Sequence, residues 1–178
     1  MIAWNVLVTV LPGGEPEVVD ELRHRGEFAR TGFKGILAGR VDEMDRFLDD
    51  LHRAHDQGAH WTRRMGRVLP MERVFSITPE TFEERLKEAV TPYLERMESG
   101  AFYVRLERRG FKGKILSPEV EQAVDTHLIL EGEARGKSLR VAFKDPDYKI
   151  AVETVGSDCG IALIPRELTR KYPLVKIR

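Results

Sequence analysis

The order of apolar patterns in the first 75 residues constrains the fold more than any other feature of this sequence. Apolar residues alternate with polar ones where a strand is expected, and they recur every three to four residues where a helix is expected. The strand-like segments are AWNVLVTVL, EFARTGF, KGILAGRV and RVLPMERVF. Helical patterns follow Pro16, which suits a first helical turn, and Asp42, which suits an N-cap. The predicted order is therefore β-α-β-β-α-β.

This order is typical of a ferredoxin-like domain, which we predict over residues 1–75. Pro70 lies in its last strand, and because proline cannot donate to a strand ladder, that strand is expected at the edge of the sheet. A second domain is predicted over residues 76–178, with a helix that begins at Thr78-Pro79 and is kinked or divided at Pro92. Its other predicted elements are a strand around 102–106, a helix from Ser117, strands over 138–143, 148–155 and 159–164, and a short helix over 165–171. The predicted fold class is α/β (α+β).

Composition and cysteine content restrict the class of protein. The 29 Lys and Arg residues balance 29 Asp and Glu residues, so a polyanionic partner would need a local basic patch. No apolar run is long enough to span a bilayer, and the N-terminus lacks the features of a signal peptide. Cys159 is the only cysteine, which excludes an internal disulfide and suits a reducing compartment. We expect a cytoplasmic protein without a membrane partner.

Most catalytic signatures are missing from the sequence. It contains no GxxxxGK[ST] phosphate loop, no GxGxxG, no GxSxG and no HExxH. The glycines of LPGGEP are better explained by a turn between a strand and a helix. Cys159 lies in an apolar strand with no base nearby in sequence, so we expect a buried side chain rather than a nucleophile. We therefore predict no catalytic residues, no cofactor and no metal.

Three histidines leave one enzymatic alternative open. His52 and His55 are one helical turn apart, and His60 follows a few residues later. A small metal-dependent enzyme could use them as ligands, although no cysteine or well-placed carboxylate completes a zinc site. His127 falls on an apolar helical face and is expected to be a core histidine with a hydrogen-bond partner.

The most informative feature for function is RLERRGFKGKI, residues 105–115. Its basic side chains are Arg105, Arg108, Arg109, Lys112 and Lys114. Arginine and lysine suit phosphate oxygens, Gly110 and Gly113 would let the backbone approach a sugar-phosphate chain, and Phe111 could stack on a base. The alternative is a solvated loop whose Phe111 folds back onto the core. A second basic stretch, WTRRMGR, contains Arg63, Arg64 and Arg67.

Three stretches of the chain occur together in the order typical of one family. They are RVLPMERVF (67–75), FYVRLERRGF (102–111) and PDYKIAVETVGSDCGIALIPRELTRKYPL (146–174). They resemble the entry, the first strand with its basic exit, and the closing strands of the THUMP domain, an RNA-binding module of tRNA-modifying proteins. The likeness is greatest to the stand-alone adaptor proteins that assist formation of N4-acetylcytidine in tRNA.

The resemblance implies binding of the tRNA acceptor stem and its 3′ CCA end. The side chains expected to contact RNA are Arg63, Arg64, Arg67, Arg105, Arg108, Arg109, Phe111, Lys112 and Lys114. Because THUMP proteins are usually fused to a catalytic domain and no signature of one is present, we expect a non-catalytic adaptor that presents tRNA to a separate modifying enzyme, with an N4-acetylcytidine acetyltransferase as the candidate. DNA is not an expected partner. The alternative is a ferredoxin-like regulatory or protein-interaction module that binds no RNA.

Overall fold

The computed structural model describes residues 3–178, so the first two residues of the predicted N-terminal domain lie outside it. The chain divides into two units. The first contains the residues up to Val74 together with Glu167–Lys176, and the second contains Phe75–Arg166 with Ile177–Arg178. That residues 1–75 and 76–178 are separate domains stays a prediction. The C-terminal segment Glu167–Lys176 belongs with the first unit, which no local sequence pattern predicts.

The first unit has the βαββαβ order predicted for a ferredoxin-like domain. Its elements are β1 (Val6–Val10), α1 (Glu15–Arg23), β2 (Glu27–Arg30), β3 (Ile36–Arg40), α2 (Met44–Asp56) and β4 (Met65–Pro70), with a 3₁₀ segment His60–Arg64 before β4. The strands form one antiparallel sheet in the order β2-β3-β1-β4. Each helix buries the apolar stripe that its spacing predicts, and Phe28 of β2 stacks on Phe47 of α2.

The strand β4 lies at the edge of this sheet, as Pro70 predicts. Pro70 is its last residue and pairs with Val6. Along the outer side of β4, the Val68 N–H donates to the Leu174 carbonyl at 2.8 Å, so the C-terminal segment covers part of the edge. The prediction that RVLPMERVF forms a single strand is wrong. The chain bends at Glu72 and continues as β5 (Arg73–Ser76) in a different sheet. Apolar alternation cannot reveal such a change of sheet.

The second unit is a mixed α/β sheet with helices. Its elements after β5 are α3 (Phe82–Val90), β6 (Gly100–Glu107), α4 (Ser117–Ala134), β7 (Leu139–Val141), β8 (Tyr148–Val155) and β9 (Asp158–Pro165). The last helix, α5 (Arg166–Lys171), belongs to the first unit except for Arg166. The strand order is β5-β9-β8-β6-β7. The strand β6 is parallel to both of its neighbours, whereas β8 and β9 are antiparallel. The predicted α/β fold class is therefore confirmed.

The helical region before β6 differs in detail from the prediction. The helix begins at Phe82 rather than at Thr78, whose hydroxyl lies 2.8 Å from that of Thr81. It ends at Val90, and a 3₁₀ segment, Thr91–Glu95, contains Pro92. Proline lacks the N–H that a continuing α-helix needs, so the division predicted at this residue is confirmed. Within residues 3–178, no helix combines the length and apolarity that crossing a membrane requires.

The strand β6 separates a core-facing side from a polar side. Phe102, Val104 and Leu106 belong to the buried core of the second unit. The same core includes Val120, Val124 and Leu128 of α4, which recur every four residues along one helical face. Because strand side chains alternate, Tyr103, Arg105 and Glu107 point to the opposite face of the sheet. This places Arg105 on the side of the sheet that the sequence predicts.

Candidate nucleic-acid interface

Residues 108–114, in the segment that joins β6 to α4, form a tight turn that we call the basic turn. Gly110, Phe111 and Gly113 all have a positive φ, at +104°, +48° and +77°. The Phe111 carbonyl accepts hydrogen bonds from the N–H groups of Lys114 and Ile115 at 3.0 and 3.1 Å. Two of the three left-handed positions carry glycine, the residue that adopts this conformation without steric cost. The backbone conformation of the turn therefore explains why glycine occupies positions 110 and 113.

Gly110 is also required by a close backbone contact. A Cβ at this position would lie 3.2 Å from the Cα of Gly156, which is in the turn between β8 and β9. The Gly156 N–H donates to the Arg109 carbonyl at 2.9 Å, which holds the two turns together. A Cβ at Gly113 would meet nothing within 4 Å. The close approach that the sequence suggested for RNA is made at Gly110 by the protein itself.

The basic side chains of the turn divide into two kinds. Lys112 and Lys114 are exposed. Arg108 is half-buried and donates from its Nη1 to the Gly110 carbonyl. The Nη1 of Arg109 lies 2.5 Å from the Oε2 of Glu153, and these side chains are only 15% and 2% exposed. The two lysines are thus the cations that the basic turn offers most openly to solvent.

The structure places Phe111 and Arg105 in different surroundings. Phe111 is half-buried and packs against the core of the second unit, which is the alternative that the sequence left open. Arg105 is half-buried on the polar face of the sheet, with its Cζ 5.6 Å from the centre of the Tyr103 ring. Lys149 of β8 reaches the same ring, with its Nζ at 5.8 Å. This face therefore carries two cations beside an aromatic ring.

The second basic stretch, WTRRMGR, lies in the first unit. Arg63 is exposed, whereas the Nε of Arg64 lies 3.9 Å from the Oε2 of Glu17. Arg67 is only 5% exposed in β4. The structure thus places three predicted RNA-binding residues in the first unit and six in the second. Of the three, Arg63 offers its charge most openly to solvent.

The three histidines considered as metal ligands each have a different polar neighbour. His52 lies 3.4 Å from Asp56. His55 lies 3.2 Å from Thr62, and His60 lies 3.0 Å from Glu17. No group of three or more histidine, cysteine, aspartate or glutamate side chains from residue 3 onward is arranged to hold a metal ion. His127 has its Nε2 2.8 Å from the Thr91 hydroxyl. Cys159 is fully buried, and this burial raises the pKa of its thiol.

Two carboxylates of α4 bind the backbone of β6 and fix the strand that leads into the basic turn. The Leu106 N–H donates to Glu121 at 2.8 Å, and the Val104 N–H donates to Asp125 at 3.3 Å. The strand β7 pairs only with residues 100–102 of β6, so these carboxylates occupy positions where a longer strand would have paired. Burial, assisted by the charge of Glu121 and opposed by the Val104 hydrogen bond, raises the pKa of Asp125 to about 7.

A comparison with known families matches residues of the second unit, and a comparison with solved structures matches most of the chain. Residues 79–163 match the family model of the THUMP domain. No curated protein matches the chain in sequence. Among solved structures, the chain resembles TrmN from Thermus thermophilus, with a TM-score of 0.61 and 22% identity over 94% of this chain and 48% of that one. It also resembles a 4-thiouridine synthetase in complex with RNA and ATP, with a TM-score of 0.57 and 15% identity over 90% of this chain and 41% of that one.

A third similar structure is described as a predicted N6-adenine-specific DNA methylase from Listeria monocytogenes. Its TM-score is 0.54, with 17% identity over 90% of this chain and 40% of that one. The chain thus spans about half, or less, of the length of these solved proteins. At these identities the likeness shows the fold and nothing finer.

These comparisons contradict the prediction that the protein is not an enzyme. The same fold occurs within a synthetase crystallised with ATP and within the protein described as a predicted DNA methylase. That prediction rested on the lack of catalytic signatures in these 178 residues, whereas the chain spans only 41% and 40% of those two proteins. The lack of signatures is therefore no evidence that the protein acts without catalysis. What the comparisons do show is that residues 79–163 of this chain match the model of the THUMP domain.

Proposed function

We propose that this protein binds tRNA through its THUMP domain and holds the acceptor stem and 3′ CCA end for a nucleoside-modifying activity. The observation that carries the proposal is the exposure of Lys112 and Lys114 on the basic turn of that domain. Arg105 of β6 and Arg108, which follows the strand, add positive charge to this part of the domain. In the first unit, Arg63 is an exposed cation that we also propose as an RNA contact. Arg109 has another role, because it balances the buried carboxylate of Glu153.

Lysine and arginine contacts of this kind are mostly to phosphate oxygens. They would position the RNA without reading much of its sequence. A preference for the CCA end would come from stacking and base-edge contacts to unpaired nucleotides. The proposal is therefore one of placement: the basic turn fixes the backbone of the RNA, and other groups recognise its single-stranded end.

A binding titration tests the first part of the proposal. Reversing the charge of Lys112 and Lys114 to glutamate should weaken tRNA binding about tenfold or more, because two phosphate contacts become repulsive. Arg135→Glu is the control. Arg135 follows the other end of α4, which at 18 residues is about 27 Å long. A folded double variant that binds tRNA as tightly as the parent would contradict the role of the basic turn, and a parent that binds no tRNA would favour the protein-interaction alternative.

The second part of the proposal concerns which activity modifies the bound tRNA. In its specific form, we propose a separate N4-acetylcytidine acetyltransferase, following the resemblance to the adaptor proteins. The solved neighbours include a thiouridine synthetase and a methylase, so the test must measure several products. Mass spectrometry of total tRNA nucleosides, with and without the gene, should show loss of N4-acetylcytidine. Loss of thiolated or methylated nucleosides instead would reassign the activity, and an unchanged nucleoside profile would contradict a role in modification.

A further inference from the structure

The turn after β7 exposes an aromatic side chain that the basic turn does not explain. Phe143 is 67% exposed, the most exposed large hydrophobic side chain from residue 3 onward. A single exposed apolar residue is common on protein surfaces and by itself indicates nothing. Its surroundings are what distinguish Phe143.

The ring of Phe143 rests on a second ring that is flanked by cations. The centroids of Phe143 and Tyr103 are 5.4 Å apart, with the planes tilted by 44°. Tyr103 is only 4% exposed, so it forms the floor beneath Phe143. The Arg105 guanidinium and the Lys149 ammonium lie within 6 Å of the centre of the same Tyr103 ring. An exposed ring with cations beside it is the combination that single-stranded nucleic acid requires, since bases stack on the ring and phosphates need the charge.

The loop that carries Phe143 is fixed at both ends. On its N-terminal side the Ala142 N–H donates to the Phe102 carbonyl at 3.0 Å. On its C-terminal side the Asp147 N–H donates to the Ala101 carbonyl at 2.9 Å. The Phe143 ring is therefore presented by an ordered backbone. A ligand that stacks on it would lose little free energy to ordering the loop.

The charged side chains around Phe143 favour a negatively charged ligand. Arg140 pairs with Ala101 in the sheet register, on the same side as Tyr103 and Arg105, and Lys144 follows Phe143 directly; both are exposed. The nearby carboxylates Asp145 and Asp147 are both within 3.2 Å of the Arg166 guanidinium. The net effect around Phe143 is positive, which favours a polyanion over an acidic or apolar protein surface.

We propose that Phe143, supported from beneath by Tyr103, is a stacking platform for an unpaired nucleobase of the bound RNA. Arg105 and Lys149 neutralise the phosphates next to that base. A base inside a duplex cannot reach the ring, so the occupant is a single-stranded segment such as the 3′ end. Tyr103 precedes Arg108 by five positions, four of them in β6, which is about 17 Å of extended chain, so the platform is a site separate from the basic turn. This inference rests on the proposed RNA binding.

The test compares two RNAs with the full chain. One is an acceptor-stem hairpin with its unpaired 3′ end, and the other is the same hairpin trimmed to a blunt end. Phe143→Ala should weaken binding of the first about 5- to 150-fold and leave binding of the second unchanged. Phe143→Trp should bind the first RNA as tightly as the parent. Because Phe143 is exposed, we expect all variants to share the unfolding midpoint of the parent.

A spectroscopic measurement separates stacking from an indirect effect. With 2-aminopurine in the unpaired end, the parent should quench the fluorescence on binding, and Phe143→Ala should not. If the parent binds both RNAs and Phe143→Ala matches it in affinity and quenching, the platform is refuted while the proposed function stands. If the parent binds neither RNA, the proposed function fails, and the platform with it. Equal weakening of both RNAs by Phe143→Ala would also contradict the platform.

Discussion

Arg109 and Glu153 form an ion pair in the second unit, with 2.5 Å between Nη1 and Oε2 and with Glu153 almost wholly removed from solvent. The Arg109 N–H also donates to the Thr154 hydroxyl at 2.8 Å. The arginine therefore connects the end of β6 to the end of β8. A buried carboxylate without a cation is costly, so Arg109 stabilises the fold whether or not RNA is bound.

Removing Arg109 should destabilise the protein more than it affects RNA contacts. We expect Arg109→Met to lower the free energy of unfolding by about 3 kcal/mol, because it removes a charged partner from the buried carboxylate of Glu153. The measurement is urea unfolding followed by circular dichroism. Lys112→Met is the control and should change stability by no more than about 0.5 kcal/mol, since Lys112 is exposed. Adding Glu153→Gln to Arg109→Met should recover much of the loss. Equal midpoints for the two methionine variants would contradict the structural role.

This ion pair also decides which substitutions can test RNA binding. Reversing Arg108 and Arg109 together would place a second carboxylate against Glu153, and any loss of tRNA binding would then be confounded by unfolding. Lys112 and Lys114 avoid this problem because both are exposed.

The two glycines of the basic turn should differ in their tolerance of alanine. Both have a positive φ, so each alanine carries backbone strain of about 1 kcal/mol or more. At Gly110 the new Cβ would also lie 3.2 Å from the Gly156 backbone, which cannot rotate away as a side chain can. We therefore expect Gly110→Ala to lower the thermal midpoint clearly more than Gly113→Ala. A smaller or equal shift for Gly110→Ala would show that the contact between the two turns is dispensable.

The sequence predicts the elements of this fold better than it predicts their partners. Periodicity and proline positions are local signals, and they yield the βαββαβ order, the edge position of β4 and the division of the helix at Pro92. The assignment of RVLPMERVF to two sheets depends on pairing between distant residues. So does the placement of Glu167–Lys176 with the first unit. No local pattern encodes either.

The candidate site shows the same limit. The sequence identifies the basic turn, but it cannot tell that Arg109 meets Glu153, which lies 44 residues further along the chain. It also could not single out Phe143, because an apolar residue at the end of a strand usually faces the core. The one available signal was its position in FKDPD, next to a lysine and a turn. Tyr103 and Lys149 become relevant only through the register of β6 and β8.

Asp125 should make stability depend on pH in an unusual direction. Its carboxyl titrates near 3.8 when unfolded and about 7 when folded, so the folded state holds the proton more tightly. Raising the pH between these values therefore removes stability. Asp125→Asn stays neutral and keeps an oxygen for the Val104 N–H. We expect the unfolding midpoint of Asp125→Asn, relative to the parent, to rise between pH 4 and pH 7 and to level off above. A difference that is constant over this range would contradict the raised pKa.

The salt dependence of tRNA binding should show whether Lys112 and Lys114 contact phosphate. Each neutralised phosphate contributes a slope of about −0.7 to −0.9 when the logarithm of the binding constant is plotted against the logarithm of salt concentration. Four to six contacts of the single-stranded kind would give the parent a slope of about −3 to −4. Changing both lysines to glutamine should flatten this slope by about 1.5, and each single change should account for roughly half of that. Arg135→Gln should leave the slope unchanged. Arg135 follows the end of α4 that is far from the basic turn, and its Nη1 lies 2.7 Å from the carboxylate of Glu131. A weaker binding constant with an unaltered slope would mean that the lysines act through the conformation of the turn and not through contact with the RNA backbone.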